Sequence, residues 1–193
     1  MSDMLSGENY AIYLLPLLLV ATLLSLLLLY RRRSARVPSL SQVLNEIAFE
    51  RVDEMVIPNA DGGEIQIDHL LLTAQGILII DIKDVQGVVF GGDKMQDWTV
   101  ISENRRFTFS NPQPALFDRI AAVRHIVREV PVAGRILFLD GAEFTKGVPG
   151  MVSTLAELEQ EFGDVDKSAA KIKIEAFRQH WEKLNANAVH AIE

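Results

Sequence analysis

From Ala11 to Leu29 the chain runs nineteen residues without a charge, rich in leucine and interrupted only by Pro16, Thr22 and Ser25. As a helix rising about 1.5 Å per residue, such a run covers roughly the 30 Å hydrocarbon core of a bilayer. Tyr10 and Tyr30 flank it, and Arg31, Arg32, Arg33 and Arg36 follow at once. Only Asp3 and Glu8 are charged before it, so the positive-inside bias puts the amino terminus outside and the rest in the cytoplasm. A cleavable signal peptide would want a basic start, a shorter apolar stretch and a small-residue cleavage site, all lacking here. The expected organisation is a short outer segment at 1–10, a transmembrane helix at 11–30 and a basic linker at 31–38. A domain at 39–150 and a helical extension at 151–193 follow. The setting is a bacterial-type inner membrane.

The 155 residues after Pro38 suffice for one domain with its own core. The chain has no cysteine, which excludes disulfides, thiolate metal clusters and a cysteine nucleophile. Helical and strand periods alternate, predicting an α+β fold. Leu40, Val43, Leu44 and Ile47 form a helical stripe ending near Glu50, and Arg51–Ile57 alternates like an edge strand. Glu64–Leu72 and Ile77–Lys83 read as a hairpin turned at Ala74–Gly76 and buried on both sides. Trp98–Ile101 and Arg106–Phe109 continue as strands. Leu116, Ile120, Val123, Val127 and Val130 predict a helix over 114–130, and 134–139 a further strand. The stripe Ala170, Ile174, Phe177, Trp181, Leu184 marks a tail helix over 167–185, read as a packing face with partner docking as the alternative.

A hairpin so aliphatic has no structural need for Asp68, Asp81 and Lys83. Asp81 and Lys83, two apart, project from one strand face, and a tight turn brings Asp68 back toward Asp81. Two carboxylates beside one ammonium suit Mg²⁺, which takes hard oxygen ligands and leaves positions for water and phosphate. Such an ion would polarise a phosphodiester while Lys83 orients water or neutralises developing charge. The competing reading is a salt bridge of Lys83 with Asp68 or Asp81. His69 should point to the opposite face from Asp68. His180 and His190 have no histidine at ligand spacing, which argues against zinc, and no G-x-S-x-G elbow supports a serine hydrolase.

The block Gly63-Glu64-Ile65-Gln66-Ile67-Asp68-His69-Leu70 is followed in order by Gly76-Ile77-Leu78-Ile79-Ile80-Asp81-Ile82-Lys83, Gly87, Trp98 and Asn111-Pro112. Together these resemble the nuclease-related domain, NERD, a branch of the PD-(D/E)xK nuclease superfamily, over about Leu40–Leu139. The resemblance implies a restriction-endonuclease-like core, a central mixed sheet flanked by helices, behind the transmembrane helix. It also implies a Mg²⁺-dependent phosphodiesterase acting on DNA, with Mn²⁺ able to substitute. Asp68 and Asp81 match the metal-binding acids and Lys83 the catalytic lysine. The family's second acid is commonly Glu, and its Gln three residues after the Asn-Pro proline is Ala115 here. Gln113, Gln66 and Glu46 are the supporting candidates. The alternative is a membrane-tethered nucleic-acid or protein adaptor with a relic site; the sequence names no protein partner.

Charge divides the domain. Residues 39–99 carry 3 basic and 11 acidic side chains, a balance of −8, whereas 100–135 carry 6 basic and 3 acidic, a balance of +3. Arg105, Arg106, Arg124 and Arg128 are therefore the candidate phosphate contacts, with Arg124 and Arg128 expected one helical turn apart.

Overall fold

The computed structural model describes residues 39–59, 61–103, 105–163 and 167–189. The proposed anchor at 11–30, its basic linker and His190 lie outside the described residues. Among the described residues, no helix is long and apolar enough to cross a membrane.

Helix α1 (Leu40–Ile47) starts at a capping box, in which the Ser39 hydroxyl accepts from Gln42 N–H and the Gln42 side chain accepts from Ser39 N–H. Strands β1 (Glu50–Pro58), β2 (Glu64–Thr73) and β3 (Gly76–Lys83) then run antiparallel, each to the next. The β2–β3 turn is held by the Thr73 hydroxyl, which donates to Gly76 O at 2.9 Å and accepts from Gln75 N–H. Gly76 has φ +125°, and a Cβ on it would collide with the Pro131 carbonyl, which accepts the Ile77 N–H. Glycine is the residue this close approach requires.

Strands β4 (Gly87–Phe90), β5 (Asp97–Ser102) and β6 (Arg105–Ser110) form a separate antiparallel meander. Helix α2 (Gln113–Ile126) carries the chain back to β7 (Val132–Phe138), which pairs parallel to β3. Short strands β8 (Ala142–Phe144) and β9 (Val152–Ser153) join β4 and β7 in parallel. The result is a five-stranded mixed sheet in the order β1-β2-β3-β7-β9 and a four-stranded sheet in the order β6-β5-β4-β8. The mixed sheet and the buried hairpin agree with the expectation from sequence, which predicts strands at 98–101 and 106–109 but not their separation into a second sheet.

Both faces of the mixed sheet are covered. On one, Leu71, Leu78, Ile80 and Leu137 pack with Val43, Leu44 and Ile47 of α1 and with Leu155, Leu158 and Phe162 of α3 (Leu155–Phe162). On the other, Leu70, Leu72, Ile77, Ile79 and Ile136 pack with Leu116, Ile120 and Val123 of α2. The same cluster takes in Trp98 and Val100 of the second sheet and Ile174, Trp181 and Leu184 of α4 (Lys167–Ala186). The tail stripe is thus a packing face. Alternation along β3 assigns Asp81 to the α2 side, and that choice positions the site.

Helix α2 ends at Ile126, four residues before the end expected at Val130. Val127 and Val130 are both buried, but in an extended turn that delivers Pro131 to the β2–β3 hairpin; a helix continuing through them would carry the chain away from β7. Arg128 therefore lies beyond the helix and is not one turn from Arg124. The first helix likewise stops at Ile47 rather than near Glu50, since Phe49 N–H already bonds Leu72 O in the sheet.

Candidate metal centre

The β2–β3 register ends its paired residues at His69 and Ile80, so one further step brings Asp68 level with Asp81. Asp81 is only 2% exposed, the one acidic residue buried in the core among the described residues. Its Oδ2 accepts from Arg119 Nη1 at 3.1 Å. Its Oδ1 is buried and has no hydrogen-bond partner among the described residues. Burial pushes the Asp81 carboxyl above the usual carboxylate range; the Arg119 and Lys83 cations oppose the shift and the Asp68 charge adds to it. Lys83, half-buried, lies two residues on along the same strand face.

A buried carboxylate oxygen without a donor is costly unless something binds it. Oδ1 of Asp81, with Asp68 beside it, has the hard-oxygen character that a divalent cation takes. No three His, Cys, Asp or Glu side chains converge to hold a metal among the described residues. Two carboxylates would leave the remaining positions to water, carbonyl and phosphate oxygens.

A family model, the nuclease-related domain, matches residues 39–139, more than half of the chain. The chain belongs to the nuclease-related domain family. It is also 25% identical over 68 residues to an uncharacterized protein of Bacillus anthracis, an alignment covering 35% of this chain and 32% of that protein. The chain thus spans about a third of the length of the curated relative it matches. No solved structure matches the chain.

Within this nuclease-related domain, Asp81 and Lys83 share a strand face and the hairpin register carries Asp68 toward Asp81, while Arg119, which the sequence does not single out, binds Asp81 directly. Neither expected salt bridge to Lys83 is the close ion pair; Asp81 pairs instead with Arg119 from α2. The guanidinium is held at a second point, its Nε donating to Gln66 O at 2.7 Å. Gln66 thus takes part through its backbone, while its side chain is exposed. Glu46 is not brought to the site, because α1 packs on the sheet face opposite Asp81 and leaves Glu46 in solvent.

Gln113 is buried at the first turn of α2, its N–H bonded to Asn111 Oδ1 at 3.0 Å. Asn111 itself organises the preceding loop, its Nδ2 donating to Met95 O at 2.8 Å. The Asn-Pro motif therefore joins that loop to the helix that carries Arg119. His69 points away from Asp81 to Asp53, with Nδ1 at 2.6 Å from Oδ1. Arg105 and Arg106 are exposed on β6, at the edge of the second sheet. Arg124 donates to the Val132 carbonyl at 2.8 Å, tying the end of α2 to β7, and Arg128 is exposed.

Proposed function

We propose that this nuclease-related domain is a Mg²⁺-dependent phosphodiesterase acting on DNA, held by residues 11–30 at an inner membrane with the domain on the cytoplasmic side. The observation that carries the reading is the buried Oδ1 of Asp81, without a hydrogen-bond partner among the described residues, on the strand face it shares with Lys83 and one register step beyond the pairing that leads to Asp68. When bound, the cation would polarise the phosphodiester and favour hydroxide over water. Asp68 and Asp81 would hold it through carboxylate oxygens, while Arg119 keeps Asp81 in one orientation. Lys83 places positive charge on the same strand face, where it can offset charge developing on phosphorus.

The test is cleavage of linear DNA by the full chain in detergent, with Mg²⁺, Mn²⁺ or EDTA, for the natural protein, Asp81→Asn and Lys83→Met. Metal-dependent cleavage lost in both variants is expected; cleavage that survives either substitution rejects the assigned roles. The ion pair that already satisfies half of Asp81 favours a second reading, a tethered nucleic-acid adaptor. Salt-dependent DNA binding without turnover under every divalent metal would select it.

A further inference from the structure

Arg119 offers five N–H donors in a planar fork. Nε is taken by the Gln66 carbonyl and Nη1 by Asp81, and Nη2 bonds no described residue. The side chain is 22% exposed although the carboxylate it holds is 3% exposed, so the guanidinium lies on the boundary between the core and an open cavity. That cavity, about 570 Å³, runs between α2 and the β1–β2 turn, and Arg119 and Gln66 belong to its wall. Arg124 differs, since its Nη2 is on a backbone carbonyl. Arg119 is thus tethered at two points and links the wall of this cavity, which Asp68, Asp81 and Lys83 do not line, to the Asp81 carboxylate.

We infer that Arg119 is a phosphate contact of the site, binding one phosphate of the nucleic-acid substrate through the edge that Gln66 and Asp81 leave free. The inference rests on the nuclease reading and adds to it a named point of substrate recognition. Asp61, Glu64 and Asp118 also line the cavity. They disfavour a run of phosphates along it, but accept hydrogen bonds from base amino groups. A single phosphate at the Arg119 end, with the rest of its nucleotide toward those acids, matches the distribution of charge.

The experiment uses the full chain in detergent, with Ca²⁺ replacing Mg²⁺ to hold DNA without turnover. The probe is a fluorescein-labelled single-stranded 12-mer, compared with the same 12-mer built of uncharged methylphosphonate linkages. Arg119→Gln should weaken binding of the charged probe about tenfold, the size expected for one charge-assisted contact, with Arg119→Lys intermediate. The uncharged probe should bind the natural protein and Arg119→Gln alike. Mn²⁺ binding by the same proteins is followed by electron paramagnetic resonance.

A variant that binds Mn²⁺ and the charged probe as the natural protein does overturns the inference, as does equal weakening for both probes. Mn²⁺ bound by the natural protein without DNA overturns it alone, and neither bound overturns the nuclease reading with it. Should Arg119→Gln not fold, phenylglyoxal modification of Arg119 in the natural protein, read by peptide mass, replaces it. The charged probe should slow that reaction and the uncharged probe should not; equal rates overturn the inference.

Discussion

Removing Arg119 should unmask the cost of burying Asp81. In Arg119→Met the carboxylate loses its hydrogen bond and its closest countercharge while its side chain stays 3% exposed. Breaking a buried ion pair from one side costs about 3–5 kcal/mol. Protonation sets a ceiling: the usual carboxylate value, 3.8 here, lies about three pH units below neutrality, and at about 1.4 kcal/mol per unit Asp81 can be neutralised for about 4 kcal/mol. The expected loss is therefore about 3–4 kcal/mol, or roughly 10 °C in Tm for a domain of this size. Trp98 and Trp181, both buried, report it as a fluorescence change on urea unfolding in EDTA. The double variant Asp81→Leu/Arg119→Met leaves no buried charge and should recover most of the loss, because a well-packed apolar replacement of a buried pair is often neutral or better. A single variant costing under about 1 kcal/mol, or a double variant less stable than the single, would refute the reasoning.

Mn²⁺ at a hundred times its Kd should stabilise the natural protein by about 2.7 kcal/mol, and Asp81→Asn should abolish the shift; a Tm indifferent to Mn²⁺ contradicts the ligand set. Burial raises the Asp53 carboxyl, but hydrogen bonds from His69 and Arg51 outweigh it and hold the carboxyl below its usual value. Its stabilisation is therefore present above the unfolded value near 3.8 and lost as pH falls through the folded one. Because Asp53 is 39% exposed the effect should stay under about 1 kcal/mol, and Asp53→Asn should flatten the stability profile below pH 4. An unchanged slope would show that Asp53 does not carry it. Gly76→Ala, which meets both a positive φ and the Pro131 carbonyl, should cost at least about 2 kcal/mol by urea unfolding; a neutral result would mean that the hairpin can shift to admit a Cβ.

How much of the site could be read from sequence follows from the range of the interactions. The period of a strand places Asp81 and Lys83 on one face, and counting back through a short turn places Asp68 opposite Asp81. Both steps use residues within one hairpin. Which side of the sheet receives the acids, and what meets them there, depends on α2, whose Arg119 is 38 residues from Asp81 in sequence. The second sheet was hidden for the same reason, since it closes by parallel pairing of β4 with β8 from beyond α2 and β7. The one-turn spacing expected of Arg124 and Arg128 fails because the apolar stripe continues past the helix into an extended turn that also buries valines.

A local signal for Arg119 was nevertheless present. Leu116, Arg119, Ile120 and Val123 stand at i, i+3, i+4 and i+7, so a permanently charged residue occupies the inward stripe of a helix whose other members form core. Buried charge is tolerated only when paired. A lone arginine on one apolar stripe and a lone aspartate in an aliphatic strand therefore point to each other before any coordinates are known. The pairing is incomplete, because Arg119 satisfies one oxygen of Asp81 and leaves the other bare. A purely structural ion pair at this depth would be expected to close both oxygens. The open one is the observation on which the proposed cation site rests.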